Sequence, residues 1–169
     1  MDLYDRLTDG KKRFVRVDEL CRRAKLHDER ALEEEAQRPL KEKKGLEKAQ
    51  GQFLSEVLGD LAAGTHLCHA MLLPLPGSAA RLEEYRRTGR LDLHGAELRR
   101  LGKASIVTLR NPRYLNAEDE TTLEGLETAI DVATLDPQTE ICVLRGGAGE
   151  HPKYAGKRIF GEGINLTQR

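Results

Sequence analysis

An α/β protein is predicted, in which a charged helical region at residues 1–102 precedes the opening strand–helix–strand units of a second region at residues 103–169. Three observations predict it. Apolar residues recur at helical spacing among Glu, Lys and Arg in the first region, and after Gly102 the pattern shortens to compact apolar, partly β-branched runs. A helix-patterned crossover separates two such runs, which makes them a parallel pair. Charge density changes along with the pattern, with 20 basic and 18 acidic groups in residues 1–100 against 8 and 10 in the remainder.

The first helices are read over Val17 to Gln50, where Leu20, Ala24, Leu26, Ala31, Leu32, Ala36 and Leu40 share a face and Pro39 forces a break. A further helical pattern begins at Gly51 and runs toward Gly59 and Gly64, and Pro74, Pro76 and Gly77 mark a loop. Ser78 to Thr88 reads as another helix with Ser78 as its cap. Ala104 to Leu109 is a strand, stopped by Asn111-Pro112. Asn116 is placed to cap a helix from about Ala117, with Leu123, Leu126, Ile130 and Ala133 on one face and an end near Asp136-Pro137. Glu140 to Arg145 is the second strand, and a third apolar segment follows at Arg158-Ile159-Phe160. Two strands do not make a stable parallel sheet, so the sequence is expected to be the front portion of a larger α/β protein.

Composition excludes some partners. The 28 basic and 28 acidic residues cancel, so no general attraction to nucleic acid or to an anionic membrane is expected. The longest apolar run, Ala70 to Leu73, is far below the roughly 20 residues of a membrane span, and the acidic start is unlike a signal peptide. A cytoplasmic location follows as the expectation. Cys21, Cys68 and Cys142 are odd in number and far apart, which favours reduced, buried thiols over a disulfide framework. With 33% charged residues and 4% aromatics there is little apolar material for a large core, and an extended or assembling protein is expected.

Candidate chemistry is sparse. His66-Leu67-Cys68-His69 holds three metal-ligand types, but no second cluster completes a zinc set, so no metal is expected. His94 and His151 have no nucleophile beside them. Gly146-Gly147-Ala148-Gly149 lacks the Lys-Ser/Thr of a phosphate loop and reads as a plain flexible turn. Phe160-Gly161-Glu162-Gly163-Ile164-Asn165-Leu166 says more. Its glycines permit backbone conformations that a Cβ forbids and let a ligand approach main-chain N–H groups, which makes it a candidate oxyanion site.

Taken in order, three stretches resemble the enoyl-CoA hydratase (crotonase) superfamily: Ala104 to Leu109 with Asn111-Pro112-Arg113-Tyr114-Leu115-Asn116-Ala117, Ile141 to Arg145 with Gly146-Gly147, and Phe160 to Leu166. A narrower resemblance covers most of the chain. His66 to Pro74, Asn111 to Asp119 and His151 to Gly156 are similar to the subfamily of 3,5-dihydroxyphenylacetyl-CoA dioxygenases from glycopeptide-antibiotic pathways.

The resemblance implies a crotonase-type fold and conversion of 3,5-dihydroxyphenylacetyl-CoA and O2 to 3,5-dihydroxyphenylglyoxylate and CoA. It implies no metal or flavin cofactor, with O2 as co-substrate and CoA as part of the acyl-CoA thioester. Homo-oligomers, trimers or hexamers, are the implied assembly. The Ile164 N–H, reached through Gly163, matches one oxyanion donor, and Glu118 and Asn116 fall at the substrate-binding segment. Arg113, Lys157 and Arg158 are the implied contacts to the CoA phosphates. Glu162 departs from the family pattern of small residues, and its ionised carboxylate would oppose an oxyanion unless turned outward. The second oxyanion donor is expected beyond Arg169, so the chain alone is expected to be inactive. The alternatives are a crotonase-type hydratase or isomerase and, from another class, a non-catalytic helical assembly module.

Overall fold

Short helices carry the chain to Leu73 in the computed structural model, which describes residues 2–26, 29–43 and 45–165. They are α1 (Asp2–Leu7), α2 (Val17–Ala24), α3 (Glu29–Ala36), α4 (Glu47–Gly59) and α5 (Leu61–Ala70), with a single 3-10 turn at Leu40–Glu42 after Pro39. The break expected at Pro39 is present. Contacts divide the chain into two units, one up to Leu73 and one from Pro74 onward.

The first unit is closed by Tyr4, Val15, Leu20, Val57, Ala63 and Leu67, with Phe53 and Leu54 packed against them. Each helix end has a local cause. Lys25 takes a left-handed conformation (φ 48°) and stops α2, while the Asp60 carboxylate accepts the Ala63 N–H at 2.8 Å and starts α5. The helical pattern does not stop at Gly64 as expected. Gly64 lies buried inside α5, where an added Cβ would sit 3.1 Å from the Leu58 carbonyl oxygen, so the glycine permits the close approach of the end of α4.

The second unit contains α6 (Ser78–Thr88), β1 (Arg90–Leu93), β2 (Ala96–Leu101), β3 (Ala104–Leu109), α7 (Leu123–Leu135) and β4 (Ile141–Gly146). The strands form one sheet in the order β1-β2-β3-β4, with β1-β2 and β2-β3 antiparallel and β3-β4 parallel. The parallel pair matches the expectation, with Ala104 opposite Ile141 and Leu109 opposite Gly146. One face carries Leu91, Ala96, Leu98 and Val107, on which Tyr85 of α6 and Ala129, Val132 and Ala133 of α7 pack. Burying a leucine such as Leu98 contributes about 2 kcal/mol.

The chain is thus a mixed α/β protein with helices and a four-stranded sheet. The β1-β2 hairpin is a correction. Residues 90–101 lie in the stretch read as helical, because Leu91, Leu93, Leu98 and Leu101 alternate with charged residues and no β-branched residue marks a strand. The turn forms because Gly95 adopts φ 79° against Thr122, whose Cα lies 2.6 Å from where a Cβ would be. Ser78 is a second correction, since it is the first helical residue of α6 and its hydroxyl donates to Asp131 at 2.7 Å instead of capping the helix. Cysteine burial is a third. Cys68 and Cys142 are exposed and Cys21 is half-buried.

Candidate functional site

The main chain after β3 is folded by its own polar side chains. Pro112–Tyr114 makes a 3-10 turn, then Leu115 and Asn116 both take left-handed conformations (φ 53° and 58°), a geometry asparagine tolerates better than most residues. Asn116 is 1% exposed. Its carbonyl oxygen accepts the Asn111 N–H at 2.9 Å, and its amide nitrogen donates to the carbonyls of Gly147 at 3.0 Å and Ile159 at 2.8 Å. One side chain therefore ties the loop after β3 to the segments that follow β4.

Asn116 is not the expected helix cap. The residues after it continue as a loop, and α7 begins only at Leu123, because the Asp119 carbonyl accepts the N–H groups of Thr122 and Leu123 at 3.0 and 3.2 Å. Asp119 is the centre of this loop and was not singled out in the sequence. Its carboxylate accepts from Thr121 N–H (3.0 Å) and Thr121 Oγ1 (2.6 Å) on one oxygen, and from Asn111 Nδ2 (3.0 Å) and Asn165 Nδ2 (3.1 Å) on the other. The Thr121 hydroxyl first, then the Asn165 amide, hold this carboxyl below its ordinary value despite burial. The spacing of Asn111, Asn116 and Asp119 was the available signal.

The Phe160 to Asn165 segment lies against this loop through a parallel bridge that pairs Glu118 with Ile164. Glu118 N–H donates to the Gly163 carbonyl at 2.8 Å, and Asn165 N–H donates to the Glu118 carbonyl at 2.7 Å. In such a bridge the polar groups of the middle residue point to the opposite edge. The Ile164 N–H is therefore directed away from Glu118, and among the described residues it makes no hydrogen bond. Gly163 has φ 90° with open space where a Cβ would be, so glycine is needed there for conformation and not for room. Leu166, the last residue of the motif, lies outside the described residues.

Close backbone approach also explains Gly146 and Gly147, read above as a flexible turn. A Cβ on Gly146 would fall 1.6 Å from the Ile159 carbonyl oxygen, and one on Gly147 2.8 Å from the Leu109 carbonyl oxygen. The turn is a tight crossing that holds Ile159 where Asn116 reaches it.

The structure brings Glu118, Gly163 and Ile164 together, and the Asn116 side chain holds the Ile159 carbonyl of the stretch that leads to them. Glu118 is half-buried and its carboxylate has no hydrogen-bond partner among the described residues. Arg113 lies over the Tyr114 ring at 5.5 Å and is exposed, as are Lys157 and Arg158. None of the three makes an ion pair among the described residues. Glu150 N–H donates to the Pro112 carbonyl at 3.1 Å and Ala148 bridges Arg158, so the Arg113 turn and the Arg158 stretch meet the same loop. Glu162 is exposed to solvent, where water and salt screen its charge.

Elsewhere, His66 Nδ1 is 2.8 Å from the Tyr4 hydroxyl, and the ring stacks on Phe14. Burial and then the Lys11 charge push this imidazole below its ordinary value. Among the described residues no group of three or more His, Cys, Asp or Glu side chains is placed to hold a metal, and no helix is long and apolar enough to cross a membrane.

No family model matches the chain. It is 42% identical over 173 residues to the (3,5-dihydroxyphenyl)acetyl-CoA 1,2-dioxygenase of Amycolatopsis orientalis, an alignment that takes in 99% of this chain and 40% of that protein. The likeness thus includes both the helical unit and the Glu118–Ile164 bridge, and the chain spans well under half the length of the relative it matches.

Proposed function

We propose that the bridge between Glu118 and Ile164 forms one wall of an acyl-CoA site in a crotonase-type dioxygenase. The reaction converts 3,5-dihydroxyphenylacetyl-CoA and O2 to 3,5-dihydroxyphenylglyoxylate and CoA. What supports this reading is the Ile164 N–H, directed away from Glu118 and without a hydrogen bond among the described residues, in a chain whose likeness to a (3,5-dihydroxyphenyl)acetyl-CoA 1,2-dioxygenase extends over nearly all of its length. The activity belongs to a polypeptide longer than the matched span.

In this reading the Ile164 N–H donates to the thioester oxygen as loss of an α-proton turns the carbonyl into an enolate. A preorganised donor in a dry site lowers the cost of that negative charge. The second donor comes from polypeptide outside the matched span. The enolate is electron-rich enough to pass an electron to O2 without a metal or flavin. Both oxygen atoms enter the product, the α-carbon is oxidised to a ketone, the C–S bond breaks, and the proton count closes with CoA leaving as its thiol. Glu118 accepts a hydrogen bond from a ring hydroxyl of the substrate. Arg113, Lys157 and Arg158 are exposed cations that make no ion pair among the described residues, and they hold the CoA phosphates. Asn116 contributes by bracing the backbone, since its amide is already used by three main-chain partners. The whole protein works in the cytoplasm as a trimer or hexamer.

The test is oxygen uptake by the complete polypeptide with 3,5-dihydroxyphenylacetyl-CoA, beside a matching Glu118→Gln variant. Consumption of one O2 per CoA released, with the variant raising the KM for the dihydroxylated substrate more than for phenylacetyl-CoA, supports the reading. Hydration or isomerisation of an enoyl-CoA with no oxygen uptake would replace it with an ordinary crotonase-type activity.

A further inference from the structure

We infer that Asp119 and Asn165 are positioning residues that aim the Ile164 N–H, an inference that rests on the thioester reading above. Gly163 is open on its Cβ side and the Ile164 side chain is 73% exposed, so neither residue is fixed by side-chain packing among the described residues. Two main-chain bonds to Glu118 set the direction of the segment. The side chain that fastens it is Asn165, which is 8% exposed and donates to Asp119 Oδ2 at 3.1 Å.

Asp119 is in turn immobilised from the loop side by Asn111 and by both donors of Thr121, and it is 7% exposed. The geometry is that of a latch. A buried carboxylate held on its own loop accepts one further bond from the segment that carries the donor. Catalytic constellations lose rate steeply when a donor drifts by about 0.5 Å, so such a latch governs the oxyanion contact more than the anchoring of CoA.

The test uses the complete polypeptide labelled with 15N, with main-chain amide exchange at residues 118 and 165 and the Ile164 amide shift on titration with 3,5-dihydroxyphenylacetyl-CoA under nitrogen. CoA alone is the control. Asn165→Asp places a second carboxylate at the 3.1 Å contact, where the pair shares a proton at low pH and repels once both are ionised. The side chains bonded to Asp119 are uncharged, and Glu118, Glu120 and Glu162 flank the contact in both proteins, so a pH dependence seen only in the variant belongs to the new carboxylate.

The variant is expected to lose at least about tenfold of the protection at residue 165 between about pH 5 and about pH 8. Its Ile164 response to the thioester shrinks in step, the broadening of the ligand adenine signals remains, and the wild type stays flat. Asn165→Ala loosens the segment at every pH. Unchanged Ile164 responses in both variants would overturn the positioning role while leaving the thioester reading intact, because the wild type still responds. Loss of protection throughout β3 and β4 would overturn it too, as a general stability effect. No Ile164 response in the wild type would remove the thioester reading and this inference together.

Discussion

The two units solve the problem of charge in opposite ways. Before Leu73 charged side chains pair along their own helices, as in Arg22 with Asp18 at 3.7 Å, Arg23 with Glu19 at 2.5 Å and Arg30 with Glu34 at 3.1 Å. Pairs of this exposed kind contribute little, so the unit depends on the small core around Tyr4, Leu20 and Leu67. From Pro74 onward polar groups are buried and meet across long stretches of sequence. Asp136, with a side chain 0% exposed, receives Arg100 at 2.5 Å, Tyr85 bonds Ser105 at 2.7 Å, and Asn116 reaches Ile159. The comparison teaches that the first unit tolerates changes of charge outside Glu35, a buried carboxylate that accepts the Gly45 N–H at 2.6 Å, whereas in the second single polar side chains repeatedly decide where a backbone lies.

The strongest way to break the second unit is at its closest crossing. Gly146→Val should cost on the order of 4 kcal/mol or more, because the Ile159 carbonyl occupies the place of the new side chain. Amide exchange at Asn116 and Ile159 should rise together, and a urea midpoint equal to that of the wild type would refute the crossing as drawn. Asp136→Ala comes next, at about 3 kcal/mol, since it leaves Arg100 and the Thr139 hydroxyl without their buried acceptor. A matched pair of core truncations sharpens the comparison. Leu98→Ala and Leu67→Ala should each cost about 3 kcal/mol, one read on the sheet amides and the other on α4 and α5, because an apolar core obeys the same rule in both units.

What was legible in the sequence follows from how local each cause is. Helices α2, α4 and α6 repeat at 3.6 residues, and the β3 and β4 runs are compact and apolar with a crossover between them, so these emerged near their true places. The β1-β2 hairpin did not, because its leucines alternate with arginines and its turn depends on Gly95 meeting Thr122, a contact set by the fold. Asn116 was noticed for a cap it does not make. Asp119 stands between Glu118 and Glu120 with nothing in the local sequence to mark it, although its partners Asn111, Thr121 and Asn165 are what join the loop to the donor segment. Exposure of Cys68 and Cys142 was likewise unreadable, since composition says nothing of which face a thiol occupies.

Acid should loosen the second unit through Asp119, with a smaller effect than the truncations. The Asp119 carboxyl is held below its ordinary value, so the stability it contributes is present above the ordinary carboxylate range and is lost as pH falls through the lowered folded value. Protection at Asn165 and Thr122 should therefore be flat near neutrality and decline below about pH 4. Asp119→Asn should abolish this slope, and persistence of the same acid decline in that variant would assign it to another carboxylate.

The smallest effect tests whether the first unit is as local as the comparison holds. Asp60 sits between α4 and α5 and accepts the Ala63 N–H at 2.8 Å, a bond that satisfies one of the otherwise unpaired donors at the start of α5. Asp60→Ala should cost about 1 kcal/mol and be felt first at the amides of Ala62 to Gly64. Asp60→Ser should recover most of the loss, because a serine hydroxyl accepts from the same position without the charge. If serine failed to rescue, the carboxylate would be acting through its charge on the helix dipole and not through the bond, and raising the salt concentration would then erase the difference between wild type and Asp60→Ala.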